Sequence, residues 1–89
     1  DRLYAIGLEA LHNNEFEHAA RVLSVAAERG HARAQLHYGV LCEHGIGVPE
    51  DIERARSLYQ DAGDQGDADA NFRLQVVDLL KARGARARQ

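Results

Sequence analysis

Part of the chain repeats itself at an interval of 36 residues. The repeated positions hold one large side chain and otherwise small residues, and they recur in the same order. A fixed period in the thirties is typical of stacked pairs of helices. We therefore predict an all-α solenoid of antiparallel helix pairs, a fold that usually presents a surface to a partner. The matching positions are Ala19, Leu23, Ala26, Gly30, Ala32 and Ala34 in the first copy, and Ala55, Tyr59, Ala62, Gly66, Ala68 and Ala70 in the second.

Helical periodicity and glycine punctuation divide the sequence into five helices. The first four helices form two pairs, and the fifth either caps the array or begins a truncated repeat. Gly30, Gly66 and Gly84 follow helical segments, where glycine commonly ends a helix. The expected organisation is repeat one at about 2–30, repeat two at about 31–66 and a terminal helix at about 67–83, so that the repeat domain spans 1–83.

The turns inside the two pairs differ in length. Gly7 matches Gly39 at an offset of 32, so the second turn contains four more residues than the first. In the first turn, Asn14 is expected to cap the second helix, with Glu17 as its reciprocal partner. Beyond the last helix, residues 84–89 carry arginine and no acid, and we expect them to form a disordered basic tail.

Composition argues against several classes of protein. The net charge is −3 and there is no evident basic face, which disfavours nucleic acid as a partner. A single cysteine, Cys42, excludes an internal disulfide and a cysteine metal cluster. No apolar run is long enough to span a membrane, so we expect no membrane insertion. The chain lacks a signal peptide and begins at Asp1, which is expected of an excised domain or a processed protein, and its compartment stays unassigned.

No set of residues has the spacing of a catalytic or metal site. His37 and His44 share a helical face but lie about 10 Å apart along the axis, too far to bind one ion. The glycines of the segment Gly45-x-Gly47 lack the preceding strand and the lysine of a phosphate-binding loop. We therefore expect no metal, no cofactor and no enzymatic activity.

The second pair of helices carries a distinctive loop pattern. The segment Gly-x-Gly-Val-x-x-Asp from Gly45 to Asp51 is followed by Ala55, and it resembles a Sel1-like repeat. Repeat one is similar to a tetratricopeptide repeat, with His31 where that family usually has proline. Cys42 departs from the Sel1-like pattern, which usually has tyrosine there. The predicted repeat signature comprises Gly7, Ala19, Gly39, Gly45, Gly47, Asp51, Ala55, Tyr59 and Gly66.

The small residues of this signature predict close helix crossings. We expect Gly7 to face Ala19 and Gly39 to face Ala55, with large side chains filling the space beside them. Glycine inside a helix costs about 1 kcal/mol relative to alanine, so its recurrence implies a packing requirement.

The resemblance implies that the first helix of each pair lines a concave face. This face is largely apolar and would suit an amphipathic helix or an extended apolar peptide. The alternative, that these side chains pack within the molecule, stays open. The residues carried over to this groove are Tyr4, Leu8, Leu11, His12, Leu36, Val40, Glu43, His44, Phe72, Val76 and Leu79.

The resemblance further implies a non-catalytic protein–protein interaction module, an adaptor or scaffold whose partner is a protein or peptide. A second hypothesis is self-association, as a symmetric homodimer through the fifth helix or as a fragment of a longer repeat array. A third and more remote hypothesis is a hydrolase related to cysteine-rich Sel1-like proteins. Those proteins carry a cysteine pair in each repeat, whereas this chain has one cysteine.

Overall fold

Helices form at the five segments where the sequence predicts them. The computed structural model describes residues 1–87, and within this range it contains no strand. The predicted all-α solenoid of antiparallel helix pairs is confirmed. The helices are α1 (Arg2–His12), α2 (Phe16–Glu28), α3 (Ala32–His44), α4 (Ile52–Asp64) and α5 (Ala68–Ala87).

Each helix packs mainly on its neighbours in the chain. α1 packs on α2, α2 on α3, α3 on α4, and α4 on α5. The molecule is accordingly elongated, with extents of 46 × 26 × 18 Å. None of the helices within residues 1–87 combines the length and the apolar character needed to cross a bilayer.

Two fully buried side chains at equivalent positions hold the helix pairs together. Leu23 of α2 and Tyr59 of α4 are both 0% exposed. A Cβ added at Gly7 would lie 2.5 Å from Leu23 Cδ2, and one at Gly39 would lie 2.6 Å from Tyr59 Cε1. The glycines therefore make room for Leu23 and Tyr59, the large side chains that we expected beside the crossings, and these side chains lie nearer to the glycines than Ala19 and Ala55 do.

Polar side chains cap three of the helices in equivalent ways. His31 Nδ1 accepts a hydrogen bond from the Ala34 N–H at 3.1 Å at the start of α3. Asp51 caps α4 in the same way, and Asp67, 36 residues after His31, caps α5. Side-chain acceptors at this position satisfy N–H groups that the helix leaves without a partner.

The predicted cap at the start of α2 is wrong. Asn14 has a positive φ of 61°, and Glu15 occupies the N-cap position without a side-chain hydrogen bond. A short turn between antiparallel helices needs a residue in the left-handed region, which asparagine tolerates well. An N-cap residue instead has extended backbone, so Asn14 cannot serve both purposes.

The last helix is longer than expected. α5 continues through Gly84 to Ala87, whereas we expected Gly84 to end it. The neighbours of Gly84 are alanine and arginine, which are strong helix formers and outweigh one glycine. Residues 88–89, the end of the predicted disordered tail, lie outside the described residues.

Candidate functional site

An open cavity of 490 Å³ separates α3, the first helix of the second pair, from α5. Its apolar walls run from Leu36, which is 4% exposed, to Phe72, which protrudes with 66% of its surface exposed. We call this cavity the groove. It is lined by Arg33, Leu36, His37, Val40, Glu43, Asp69, Phe72, Arg73 and Val76.

Helical spacing brings these side chains to one place. On α3 every lining residue lies three or four positions from another lining residue, and the same holds on α5. Such residues share one face of a helix. Five of the predicted groove residues line it, namely Leu36, Val40, Glu43, Phe72 and Val76.

Apart from Glu43, the charged and polar lining residues were missed by sequence reasoning. Arg33, His37, Asp69 and Arg73 all line the groove. Arg33 and Asp69 lie three residues before Leu36 and Phe72, respectively, so extending the same face by one helical turn would have found them.

The four predicted residues on α1 do not line the groove. Tyr4 instead stacks on His31 at a ring distance of 4.6 Å and lies 5.7 Å from the ring of His37. Leu11 packs against the core, Leu8 is half-buried, and His12 is exposed.

Two further predicted residues also lie outside the groove lining. His44 is half exposed, and its Nε2 lies 3.7 Å from Glu43 Oε2. Leu79 is 60% exposed on α5. The structure thus concentrates the candidate site on α3 and the first half of α5.

One end of the groove is a cluster of three charges. Arg33 Nη1 lies 3.1 Å from Asp67 Oδ2 and 2.9 Å from Asp69 Oδ2, so one guanidinium bridges two carboxylates at the start of α5. Burial by itself would raise the pKa of Asp67. Hydrogen bonds from the Ala70 N–H and from Arg33 outweigh burial and hold that pKa below its usual value. This end of the groove is therefore charged at neutral pH and tied across the two helices.

At the other end of the groove, the buried hydroxyl of Tyr59 is hydrogen-bonded to the carboxylate of Glu43. Tyr59 Oη donates a hydrogen bond to Glu43 Oε1 at 2.6 Å. Burial, and then this hydrogen bond, raise the pKa of Tyr59, so the phenol stays neutral and remains a donor. The Glu43 side chain is 17% exposed, which places an acceptor within reach of a ligand.

His37 is a neutral polar group in the groove wall. Burial lowers the pKa of His37, and the positive charges of Arg33 and Arg73 lower it further. Protonation at acidic pH would add a positive charge to this wall.

A second cavity of 300 Å³ lies on the far side of Glu43, which lines both cavities. Its walls are mostly apolar, with Ile52, Val77 and Leu80 among them. An ion pair between Lys81 and Glu53 closes its edge. The apolar surface therefore continues past Glu43 toward the end of α5.

The predicted repeat signature supports the fold, and none of its residues lines the groove. Gly45 ends α3 with a φ of 65°, and Gly66 follows α4 with a φ of 97°. Gly47 has a φ of 74°, and a Cβ there would collide with the carbonyl oxygen of Phe16. The glycine loop of repeat two thus rests directly on the first turn of α2, a contact between repeats that the sequence pattern did not reveal.

The described residues hold no assembled metal or nucleophile site. Within residues 1–87, no three His, Cys, Asp or Glu side chains come close enough to hold a metal ion together. Cys42 is 1% exposed, and burial raises the pKa of its thiol, which opposes thiolate formation.

Comparison with known proteins gives consistent matches. Residues 32–67 match the family model of the Sel1 repeat. The chitin synthase regulator SKT5 of Malassezia restricta is 41% identical over 58 residues, covering 65% of this chain and 4% of that protein.

Two solved structures are similar to the fold. A Sel1 repeat protein from Oxalobacter formigenes has a TM-score of 0.80 and 30% identity, covering 84% of this chain and 23% of its own. The protective antigen c5321 of uropathogenic Escherichia coli, which has an SLR fold, has a TM-score of 0.82 and 25% identity, covering 84% of this chain and 17% of its own. The chain therefore spans less than a quarter of the length of each of these proteins.

Proposed function

Since the chain is a Sel1-like repeat protein, we propose that it is a non-catalytic interaction module that binds a peptide segment of another protein in the groove. Sel1 repeat proteins generally act as protein-interaction scaffolds, and their fold is typically non-catalytic. The observation that carries the proposal is the open groove between α3 and α5, with apolar walls and charged groups at both ends.

The size and lining of the groove favour the binding of a few apolar side chains of a peptide. A volume of 490 Å³ lies within the range of about 300–1,000 Å³ in which proteins enclose ligand groups. Val40 and Val76 offer apolar surface from opposite walls, and Phe72 is exposed beside them. Covering this surface would be favourable by roughly 25 cal/mol for each Å² removed from water.

The charged side chains at the two ends of the groove would orient a bound peptide. Arg33 and Asp69 stand at one end, and Glu43 stands near the other. A site with charges of both signs opposes a uniformly charged ligand such as a nucleic-acid backbone and favours a peptide, whose amides and side chains offer donors and acceptors. The partner we propose is therefore a protein segment with at least two apolar side chains and flanking polar groups.

A displayed library of random peptides provides the test. Peptides selected on the folded chain are expected to shift the backbone amide NMR signals of residues 33–43 and 69–76. Val40→Asp is expected to weaken their binding by at least about tenfold, because it places a charge in the apolar wall. The matched control is Val25→Asp, since Val25 is 41% exposed on α2 and does not line the groove. Peptides that bind both variants equally, or that shift other signals, would rule out the groove.

A further inference from the structure

The most exposed large apolar side chains of the described residues all lie on α5. Phe72 is 66% exposed, Leu79 is 60% exposed and Leu80 is 54% exposed. α5 packs mainly on α4, so much of the remaining surface of the helix is uncovered in a single copy. Neighbouring exposed apolar residues of this kind commonly mark a contact with another molecule.

Five residues of α5 form a stripe that is symmetric about its centre. Asp69 stands seven residues before Val76, and Arg83 stands seven residues after it. Phe72 and Leu80 stand four residues before and after the same valine. At about 100° per residue, all five fall within about 40° of Val76 around the helix. We call Asp69, Phe72, Val76, Leu80 and Arg83 the α5 stripe.

We propose that the α5 stripe binds the same stripe of a second copy of this chain, with the two helices antiparallel and a two-fold axis at Val76. This axis places Phe72 against Leu80 of the partner subunit and Asp69 against Arg83 of the partner subunit. An apolar centre with an opposite-charge pair at each end is self-complementary, as a two-fold contact requires.

Charge decides the orientation of the two helices. In a parallel pair, Asp69 would meet a second aspartate and Arg83 a second arginine, and both contacts would be repulsive. The antiparallel pair converts both contacts into attractions. Asp69 also accepts from Arg33 within its own chain, but its side chain is 69% exposed and a carboxylate accepts several hydrogen bonds.

The size of the stripe sets the strength of the contact. The fourteen steps along the helix from Asp69 to Arg83 span about 21 Å, which supports an interface at or below the low end of specific protein contacts. The dimer is therefore weak and forms as the concentration rises. The dimer proposal is based on residues of α5 alone and does not depend on the proposed function. The dimer would nevertheless cover Phe72 and Val76 of the groove, so it would compete with a peptide bound there.

A pair of charge reversals tests this arrangement. Sedimentation equilibrium over a concentration series is expected to show the 9.8 kDa chain passing into a species of twice that mass. Asp69→Arg alone and Arg83→Asp alone are each expected to weaken the dimer about tenfold, since each makes both end contacts repulsive. An equal mixture of the two variants is expected to recover the original affinity, because both end contacts of a mixed dimer again join opposite charges.

Matched controls separate this contact from general charge effects. Asp61→Arg and Arg21→Asp make the same changes at exposed positions of α4 and α2 and are expected to leave the dimer unchanged. Circular dichroism checks that each variant is folded. If Asp69→Arg unfolds through loss of its pair with Arg33, Leu80→Glu is expected to yield a folded monomer instead. A chain that stays monomeric throughout, a dimer indifferent to the reversals, or a mixture no tighter than its components would overturn the proposal.

Discussion

Gly39→Ala tests the close packing that defines each helix pair. The added methyl carbon would lie 2.6 Å from Tyr59 Cε1 and 3.0 Å from Tyr59 Cδ1. The tyrosine ring is fully buried and held by its hydrogen bond to Glu43, so it has little freedom to withdraw. Overpacking costs about 1–3 kcal/mol in general, and a contact this short against a fixed ring is expected to cost about 2–3 kcal/mol.

Helix propensity acts in the opposite direction and reduces the loss. Alanine is favoured over glycine inside a helix by about 1 kcal/mol. The expected net destabilisation of Gly39→Ala is therefore about 1–2 kcal/mol. One kcal/mol lowers the melting temperature of a domain this small by about 4–8 °C, so the variant should melt roughly 5–15 °C lower.

Thermal and urea unfolding followed by circular dichroism measure this change. Gly84→Ala is the matched control, because it is also helical and a Cβ there meets nothing within 4 Å. It is expected to be neutral or slightly stabilising through propensity alone. A Gly39→Ala protein as stable as the original would refute the reasoning, since it would show that the space beside Gly39 can accept a side chain.

Three further changes probe other contacts. Tyr59→Phe removes the donor to Glu43 and is expected to cost about 1.5–3 kcal/mol in urea unfolding, the usual worth of a hydrogen bond to a charged group. Gly47→Ala combines a positive φ with a collision at the Phe16 carbonyl, so it is expected to lower the melting temperature more than Gly39→Ala does. Because burial holds the pKa of His37 below 6.5, the unfolded chain takes up a proton first, and stability should fall as pH drops below 6.5. His37→Gln is expected to reduce that fall in unfolding titrations, and an unchanged pH dependence would assign it to other groups.

The helices could be predicted from the sequence because their signals are local. Helical spacing places the buried alanines, and Gly45 and Gly66 end helices through their own backbone preference. The predicted Asn14 cap was wrong because the local signal is ambiguous there. Asparagine suits both an N-cap and a left-handed turn, and the crossing of α1 and α2 requires the turn.

The groove could be predicted only in part because it depends on how helices are placed. α3 and α5 follow the 36-residue period, and predicted residues such as Val40 and Val76 line the groove together. α1 follows an offset of 32 and a shorter turn, and Tyr4 stacks on His31 at the start of α3. The spacing of apolar residues along the sequence does not specify how α1 lies against α3.

The two walls of the groove differ in how firmly they are supported. α3 packs on both α2 and α4, whereas α5 packs mainly on α4. Local opening requires little free energy where few contacts hold an element, so amide hydrogen exchange should be slowest in α3 and faster in α5. The groove thus has one wall that is held on both sides and one that is held mainly on one side, so we expect its width to adjust to side chains of different sizes at the end away from the Arg33 ion pairs.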